Sequence, residues 1–502
     1  MKIVAALVGA LALAASMGAP GADMAKTLHV VFREAENGFD PQAIYDTYSD
    51  AVCSAIFDPL YRYDYYARPV KMIPNTADGP PQITEGGRTY TIKVRPGIYF
   101  AADPAFKGKK RELTAEDYVY SIKRVFDPKV RSYWLYLFEN NLVGLDLPLA
   151  KARAGASFDY DGRIDGLQAL DRYTLRIRFR QPNYAFQWQL TTSSFAAVAR
   201  EVVEKYRDAA NRVMENPVGS GPYRLKAWTR GQKIVLEANP DYRDDRYPAP
   251  PDNAADAAVA KGLAGRKIPL AGNVEISIIE EAQPRLLAFE SGKLDYVDVP
   301  ASIAPNALAG NRLRPEYSKR GIVLHHEIEP ALDFFFFNLD DPLVGGYTPE
   351  KIALRRAISL AYDRGEAIRL LLNGQALPAT QPVPPGMLGH DPSIPERNTY
   401  DPAAARALLD KLGYRDRDGD GYRETPDGKP LTLIKASTTD TAARASDELW
   451  KRNMDAIGLR LTFLKNKWPE LNKMSEAGQL MMWGLSMSVV GALVCWVFFG
   501  LL

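Results

Sequence analysis

The amino-acid sequence predicts an α/β protein in which mixed β-sheets are flanked by helices. Residues 90–128 have the pattern of a strand, a loop and a helix, and residues 274–299 show a strand, a helix and a strand in turn. The chain has 502 residues. That length is enough for about three domains, or for two large lobes that each bury a core.

The first of these segments carries the clearest local signals. Residues 90–94 alternate apolar and polar side chains, which is the pattern of a strand with one buried face. Thr114 is followed three residues later by Asp117, an acidic variant of the capping box, and apolar residues then recur at helical spacing up to Phe126. We therefore predict a strand, followed by a helix that begins after Thr114 and ends before Pro128.

The same patterns predict further elements along the chain. Strands are expected at residues 28–32, 171–179, 233–238, 274–279, 294–299, 322–328 and 332–339. Helices are expected over residues 280–291 and after the N-terminal caps Thr348, Asp363 and Asp401. Residues 243–268 are polar and rich in Pro, Ala and Gly, so a long surface excursion is expected there.

The composition argues against several classes of protein. The formal net charge is +2, so nothing indicates binding to nucleic acid. The two cysteines, Cys53 and Cys495, are too few for a disulfide framework. The sequence contains no HExxH, GxSxG, CxxC or Walker A motif, which removes the hydrolases that such motifs identify.

Three blocks of sequence carry a resemblance to a known family. The first is YTIKVRPGIYF with LTAEDYVYSIKRVFDP, the second is NPVGSGPYRLKAWTRGQKIVLEANPDY, and the third is FFFFNLDDP with LRRAISLAYDRGEA. Together they resemble the family 5 extracellular solute-binding proteins, which are the dipeptide- and oligopeptide-binding components of ABC importers. The resemblance runs from about residue 28 to residue 485.

The resemblance implies a two-lobed fold of the periplasmic-binding-protein type with an enlarged first lobe. It also implies a monomeric, exported protein that captures peptides or peptide-like solutes between its lobes and delivers them to an ABC permease at the inner membrane. On this interpretation we expect no enzyme activity and no cofactor. A secreted α/β hydrolase acting on peptides or esters is the alternative, because missing motifs do not by themselves exclude catalysis.

The chain is predicted to have four parts. Residues 1–22 have the features of a signal peptide, namely Lys2, an apolar stretch over residues 3–15 and a run of small residues. We place the first lobe at residues 23–300, the second lobe at residues 301–486 and an apolar tail at residues 487–502. An exported, periplasmic location follows from the signal peptide.

The end of the sequence has three interpretations. Residues 481–502 contain no charged side chain and are numerous enough to span a bilayer as a helix. A transmembrane anchor, a buried helix, and a truncation or change of reading frame are the alternatives. In the family, an Asp beyond the MWG segment anchors the peptide's α-amino group. The resemblance finds no match for that Asp here, so weakened peptide binding is expected.

Candidate ligand-binding residues are predicted in both lobes. The segment that contains Tyr61 lies near the cleft in the family, and Trp483 resembles the family's MWG segment beside the ligand. The phenylalanines at 334–337 alternate along a strand, so one pair is expected in the core and the other in the groove. The candidates are Tyr61, Phe335, Phe337, Asn338 and Trp483, with ordinary packing as the alternative.

One acidic loop resembles a metal site. Asp416, Asp418 and Asp420 have the DxDxDG spacing that opens a calcium loop, in which oxygen ligands at alternate positions converge. The twelfth position is Asp427 and not Glu, and no helix obviously follows. Calcium binding and a solvated turn are therefore both open, and no other cofactor is indicated.

Overall fold

The computed structural model describes residues 22–67, 70–250, 257–310, 312–326, 328–329, 331–387, 389–396 and 399–488. Residues 1–21 of the predicted signal peptide and residues 489–502 of the predicted tail lie outside these described residues.

The α/β class is confirmed, with helices and mixed sheets along the whole described chain. The strands are β1 Asp23–Phe32, β2 Tyr61–Tyr63, β3 Met72–Pro74, β4 Gln82–Thr84, β5 Thr89–Lys93, β6 Leu167–Asp171, β7 Thr174–Arg178, β8 Tyr223–Thr229, β9 Lys233–Ala238, β10 Ala271–Ile278, β11 Leu308–Ala309, β12 Arg312–Leu313, β13 Ala331–Phe337, β14 Thr432–Ser437, β15 Arg460–Lys465 and β16 Met482–Ser488. The helices are α1 Thr47–Ile56, α2 Ala115–Phe126, α3 Asp146–Arg153, α4 Phe186–Gln189, α5 Arg200–Tyr206, α6 Ala257–Leu263, α7 Ala282–Glu290, α8 Ala304–Ala307, α9 Pro315–Ser318, α10 Pro349–Ala361, α11 Arg364–Leu370, α12 Pro402–Lys411, α13 Thr441–Asp455 and α14 Trp468–Glu476. Single turns of 3₁₀ helix lie at Pro104–Phe106, Tyr133–Leu137 and Ser193–Phe195.

The first part of the chain builds two larger sheets around one core. One sheet has the order β1-β10-β9-β8, with β1 parallel to β10 and the other pairs antiparallel. The other has the order β4-β5-β7-β6 and is antiparallel throughout. Helix α2 packs against β6 and β7, and the buried residues of this core lie between Leu28 and Ile276.

The predicted start of α2 is confirmed. The Thr114 backbone N–H donates to the Asp117 carboxylate over 2.8 Å, and the Thr114 hydroxyl does so over 2.9 Å. Farther along the helix, Arg124 is fully buried and its Nη2 lies 2.6 Å from an Asp40 carboxylate oxygen. Because Asp40 lies in the segment after β1, this ion pair fixes that segment to α2.

The second part of the chain builds one four-stranded sheet in the order β13-β16-β14-β15. Strand β13 is antiparallel to β16, whereas β14 is parallel to both β15 and β16. Its largest core lies between Val344 and Met482 and includes side chains of α10, α12 and α13. Because this core is separate from that of the first part, we retain lobes at residues 23–300 and 301–486 as a proposal.

Two predicted strands do not form. Residues 294–299, and the described residues of 322–328, contain no strand. Asp295 lies beside β1, since its N–H donates to the His29 carbonyl over 2.8 Å and its carboxylate accepts from the His29 N–H over 2.7 Å. The backbone of this segment is therefore hydrogen-bonded to the edge strand β1 at a single residue, His29, and does not pair with β1 along a ladder of backbone hydrogen bonds.

The predicted surface excursion at residues 243–268 is wrong for its first residues. Arg243 is largely buried, with Nη1 2.5 Å from an Asp58 carboxylate oxygen and Nη2 2.5 Å from Asn75 Oδ1. This segment is therefore attached to the first core by a charged side chain, a contact that its composition does not reveal.

A single transmembrane helix over residues 481–502 is also wrong. Residues 482–488 form β16, which pairs with β13 from Ala331↔Ser488 to Phe337↔Met482. Met482 and Trp483, at the start of this strand, are buried, and the second sheet extends two residues beyond the predicted boundary at 486. Among the described residues, no helix combines the length and the apolar character needed to cross a membrane.

Candidate functional site

The carboxyl ends of the parallel strands identify one candidate surface in each lobe. In open α/β sheets, ligands bind in the crevice outside these ends. In the first lobe β1 and β10 end at Phe32 and Ile278, which we call the first-lobe edge. In the second lobe β14, β15 and β16 end at Ser437, Lys465 and Ser488, which we call the second-lobe edge.

An arginine and a tyrosine lie at the first-lobe edge. Arg33 follows the last residue of β1, and its Nε donates to the Tyr48 hydroxyl over 2.7 Å. The Tyr48 ring packs against Phe32 with centroids 4.9 Å apart. Burial raises the pKa of the Tyr48 hydroxyl, so this group stays protonated at neutral pH and can donate as well as accept.

A second arginine lies at the end of β10. Arg285, from α7, is buried and its Nη1 donates to the carbonyls of Ile279 and Glu280 over 2.9 and 2.6 Å. Burial and the nearby Arg33 guanidinium lower the pKa of Arg285. Among the described residues, no carboxylate lies within 4.0 Å of the Arg285 guanidinium. The two carbonyls at the strand end accept its hydrogen bonds instead.

A buried glutamate fixes the loop that leaves the first-lobe edge. Glu36 is 3% exposed, and one of its carboxylate oxygens accepts from Trp228 Nε1 over 2.5 Å and from the Gly231 N–H over 3.0 Å. The Trp228 ring in turn packs against Phe39 at 4.6 Å. Glu36 therefore holds the β8–β9 turn against the segment that follows β1.

Two lysines share one carboxylate at the second-lobe edge. Asp447, from α13, accepts from Lys435 Nζ over 3.2 Å, from Ser437 Oγ over 2.7 Å, and from Lys465 Nζ. Burial lowers the pKa of the Lys435 ammonium. Strands β14 and β15 position the two lysines because they are parallel neighbours, with Ser437 opposite Lys465.

Phe335 is a sequence-predicted residue that contacts this lysine cluster. Its ring centroid is 5.7 Å from Lys435 Nζ, and the ring packs against Trp450 and Tyr362 at 4.8 and 5.5 Å. It is 39% exposed. The residue opposite, Gly484, admits this ring, because a Cβ there would lie 2.6 Å from Phe335 Cε1.

Phe337, Asn338 and Trp483 occupy other positions. Phe337 lies opposite Met482, at the end of β16 farther from the second-lobe edge, and packs on the large core. Asn338 forms a turn, since its Nδ2 donates to the Gly478 carbonyl over 2.9 Å and its Oδ1 accepts from the Asp340 N–H over 3.0 Å. Trp483 is 4% exposed and belongs to a small separate core that includes Phe336, Leu471 and Leu480.

Tyr61 lies in the first-lobe core, apart from the other four candidates. It is 1% exposed, and its hydroxyl has no hydrogen-bond partner among the described residues. Burial raises the pKa of this hydroxyl. Tyr61 therefore has the environment of a packing residue, and its role in ligand binding stays a prediction.

The acidic loop brings its three carboxylates together. Oxygens of Asp416, Asp418 and Asp420 lie within 4.8 Å of one another, on the exposed surface. The Asp416 carboxylate also accepts from the Gly419 and Gly421 N–H groups over 2.7 and 2.9 Å, and Asp420 pairs with Arg460. Calcium binding stays a prediction, since these hydrogen bonds are those of a tight turn.

Sequence reasoning missed the residues of the second-lobe edge. Lys435 is a charged residue inside the otherwise largely apolar strand sequence LTLIKAS, which is a signal that could have been noticed. Its partner Asp447 comes from the following helix and Lys465 from the next strand. Their meeting depends on the parallel pairing of β14 and β15, which the local pattern does not specify.

Comparison with known proteins decides the family. The family model of the bacterial extracellular solute-binding proteins, family 5, matches residues 71–491. The chain belongs to this family. The resemblance carried by the three sequence blocks is thus confirmed, and solute binding is the function common to this family.

Relatives and solved structures of family 5 agree over most of the chain. Di/tripeptide-binding protein 2 of Pseudomonas aeruginosa is 24% identical over 462 residues, which cover 90% of this chain and 74% of that protein. The oligopeptide-binding protein OppA of Bacillus subtilis is 23% identical over 455 residues, which cover 88% of this chain and 71% of that protein.

The fold of this family 5 protein is shared with binding proteins of known structure. The periplasmic binding protein DppA from Helicobacter pylori, solved in complex with the peptide STSA, superposes with a TM-score of 0.67 at 19% identity, covering 93% of this chain and 80% of that one. AppA from Bacillus subtilis, in complex with a nonapeptide, gives a TM-score of 0.65 at 18% identity, with coverage of 93% and 80%. The two-lobed binding-protein fold is therefore confirmed, and the hydrolase hypothesis gains no support.

Proposed function

We propose that this protein captures peptides or peptide-like solutes between its two lobes and delivers them to the permease of an ABC importer. The observation that carries the proposal is the pair of edges at the carboxyl ends of the parallel strands, one in each lobe. Each edge presents charged and hydrogen-bonding groups, and a peptide offers backbone amides, carbonyls and two charged ends to such groups. Relatives named as peptide-binding proteins support the same class of ligand.

The mode of binding follows from the strands at the two edges. A peptide lies between the lobes and pairs its backbone with extended protein segments, as in strand addition. Closure of the lobes about their connection buries most of the ligand surface. The protein is a binding protein and not an enzyme, it acts as a monomer outside the cytoplasm, and the closed form is the one that docks on the permease.

A ligand screen by thermal denaturation tests the proposal. A peptide present at one hundred times its dissociation constant stabilises the folded protein by about 2.7 kcal/mol. We expect di- to pentapeptides to raise the melting temperature. Sugars, opines, haem and nickel chelates at the same concentration should leave it unchanged. A shift with one of these other classes, and none with peptides, would replace the proposed ligand.

The same sample distinguishes binding from hydrolysis. The protein is incubated with a defined peptide mixture, and both the bound and the free peptides are analysed by mass spectrometry. We expect retained peptides of unchanged length. Shortened peptides, appearing in proportion to protein and time, would favour the hydrolase.

A further inference from the structure

The cluster of Lys435, Lys465 and Asp447 at the second-lobe edge contains more positive than negative charge. Lys435 and Lys465 contribute two positive charges, and Asp447 contributes one negative charge, which leaves +1 at neutral pH. Among the described residues, Asp447 is the carboxylate that lies within 4.0 Å of either ammonium. One ammonium group therefore lacks a counter-charge of its own.

The nearest acidic residue along the chain is already engaged. Asp440 caps α13, with its carboxylate accepting from the Ala443 N–H over 2.9 Å and from the Thr438 hydroxyl over 2.5 Å. These bonds hold the Asp440 carboxylate at the first turn of α13. Asp440 is consequently a helix cap and not a third partner of the two lysines.

Aromatic rings keep Lys435 in place without a second carboxylate. Its Nζ lies 5.7 Å from the Phe335 ring centroid, 5.9 Å from that of Trp450 and 5.8 Å from that of Phe463. Each ring face attracts a cation, and the attraction is strongest where water is excluded. The Lys435 side chain is 6% exposed, so its ammonium would attract a ligand anion electrostatically without contacting it directly.

Lys465 is the accessible member of the cluster. Its side chain is 39% exposed, against 6% for Asp447. Its Nζ contacts the Ser437 hydroxyl and the Thr438 carbonyl at 3.3 Å each, which is the long end of the range for such bonds. An incoming anion can replace one of these contacts with a shorter, charge-assisted hydrogen bond.

We propose that Lys465, supported by Lys435 and oriented by Asp447, binds a carboxylate group of the ligand at the second-lobe edge. The assignment rests on the proposed function for the identity of the ligand as a peptide. It specifies the ligand as a peptide or an acylated amino acid with a free carboxylate. The ligand binds with this carboxylate directed to the second lobe. Esters and amides of the same compounds lack the charge and bind more weakly.

Binding of matched peptide acids and amides tests this assignment. The dissociation constants of one peptide with a free carboxyl terminus and of its C-terminal amide are measured by calorimetry for the wild type, Lys465→Met and Lys467→Met. Lys467 is a matched control, because it is exposed and lies two residues farther along the same edge. Lys465→Met should still fold, because Asp447 keeps Lys435 and Ser437 as partners.

We expect the wild type and Lys467→Met to prefer the acid over the amide by roughly tenfold or more, and Lys465→Met to bind both about equally. Equal affinity for acid and amide in the wild type would overturn the assignment. So would an unchanged preference in Lys465→Met, or an equal loss of preference in Lys467→Met.

A second probe separates this assignment from the proposed function. N-acetyl-alanine carries the carboxylate without a peptide amino terminus, and N-acetyl-alanine amide carries neither charge. At equal ionic strength, we expect the acid but not the amide to raise the melting temperature of the wild type and of Lys467→Met, and neither to affect Lys465→Met. If peptides fail to bind but the acid alone still raises the melting temperature in this way, the proposed function is wrong and the carboxylate site at Lys465 is retained. If the acid does not raise the melting temperature of the wild type, or raises that of Lys465→Met equally, the carboxylate site is wrong.

Discussion

At the scale of single residues, burial of Asp50 makes stability depend on pH. Asp50 lies in the first turn of α1, is 8% exposed, and accepts a hydrogen bond from the Ser193 hydroxyl. Burial, together with the nearby Asp46 carboxylate, raises the pKa of Asp50 from 3.8 to about 6, although the Ser193 hydrogen bond acts in the opposite direction. The folded state therefore holds this proton more tightly than the unfolded state.

The sign of the pH dependence follows from that raised pKa. The stabilisation from the bound proton is fully present below the ordinary pKa of an aspartate and is lost as the pH rises through about 6. Between pH 4 and pH 7 we expect Asp50→Asn to gain stability relative to the wild type by up to about 3 kcal/mol, because asparagine is neutral throughout.

Urea unfolding at a series of pH values measures this difference. Asp23→Asn, a change at an exposed position in β1, controls for the loss of one carboxylate. A constant difference between Asp50→Asn and the wild type from pH 4 to pH 7 would contradict the assigned pKa. A change of equal size in Asp23→Asn would show that the effect does not come from burial.

At the scale of elements, the N-terminus of α2 depends on one carboxylate. Asp117 accepts from Thr114 and also from Arg111, whose Nη2 lies 2.6 Å away. Asp117→Ala removes the cap and one partner of Arg111, which keeps Glu201 at 2.8 Å. We expect a loss of about 2–3 kcal/mol in the free energy of unfolding, measured with urea.

The neighbouring glutamate provides the control for this change. Glu116 lies in the same turn of α2 but is exposed, so Glu116→Ala should change the free energy of unfolding by less than about 0.5 kcal/mol. Equal losses in the two variants would mean that the capping contacts of Asp117 contribute little.

The acidic loop is the second element with a direct test. Its carboxylates already accept backbone N–H groups and the Arg460 guanidinium, so we expect EGTA to leave the melting temperature unchanged. A melting temperature that rises with calcium in the wild type, and does not rise in a triple variant with Asn at 416, 418 and 420, would establish the calcium loop instead.

Elements with complete local signals could be predicted from the sequence, whereas contacts between distant segments could not. Helix α2 carries its own cap and apolar stripe within about a dozen residues, and β9 was predicted with the bounds Lys233–Ala238 that it has in the structure. Residues 294–299 show the alternation of a strand but lack the neighbouring ladder that would make them one. Such a neighbour is a property of the assembled sheet.

The same limit applies to the candidate site. The phenylalanine run was predicted as a strand, and β13 covers Ala331–Phe337. The run itself does not reveal that Phe335 packs on Trp450 or that Gly484 lies opposite, because these residues are more than a hundred positions away. The Lys435–Asp447–Lys465 cluster was missed because two strands and one helix each contribute one member.

At the scale of the whole molecule, the separate cores predict how the protein unfolds. The larger cores draw on residues 28–276 and 344–482 and share no buried side chain. Without ligand, we expect calorimetric unfolding to show more than one transition, because each lobe buries its own apolar surface. A ligand held between the lobes should raise both transitions and bring them together.

The measurement is differential scanning calorimetry with and without a bound peptide. A peptide that binds one lobe alone would raise one transition and leave the other unchanged, which would contradict binding between the lobes. A single sharp transition without ligand, with a calorimetric enthalpy equal to the van't Hoff enthalpy, would contradict independent lobes.

The shared carboxylate of Asp447 also constrains the order in which substitutions can accumulate. Loss of Lys465 removes a partly exposed charge and leaves Asp447 paired with Lys435. Loss of Asp447 first would leave two ammonium groups without a carboxylate partner, one of them buried. Breaking a buried pair in this way is strongly destabilising. Lys465 must therefore be lost first, because loss of both lysines would leave Asp447, itself 6% exposed, as a buried charge without a counter-ion. In a library that randomises these three positions, stable variants that lack Lys465 alone should be recovered, whereas variants that lack Asp447 alone should not.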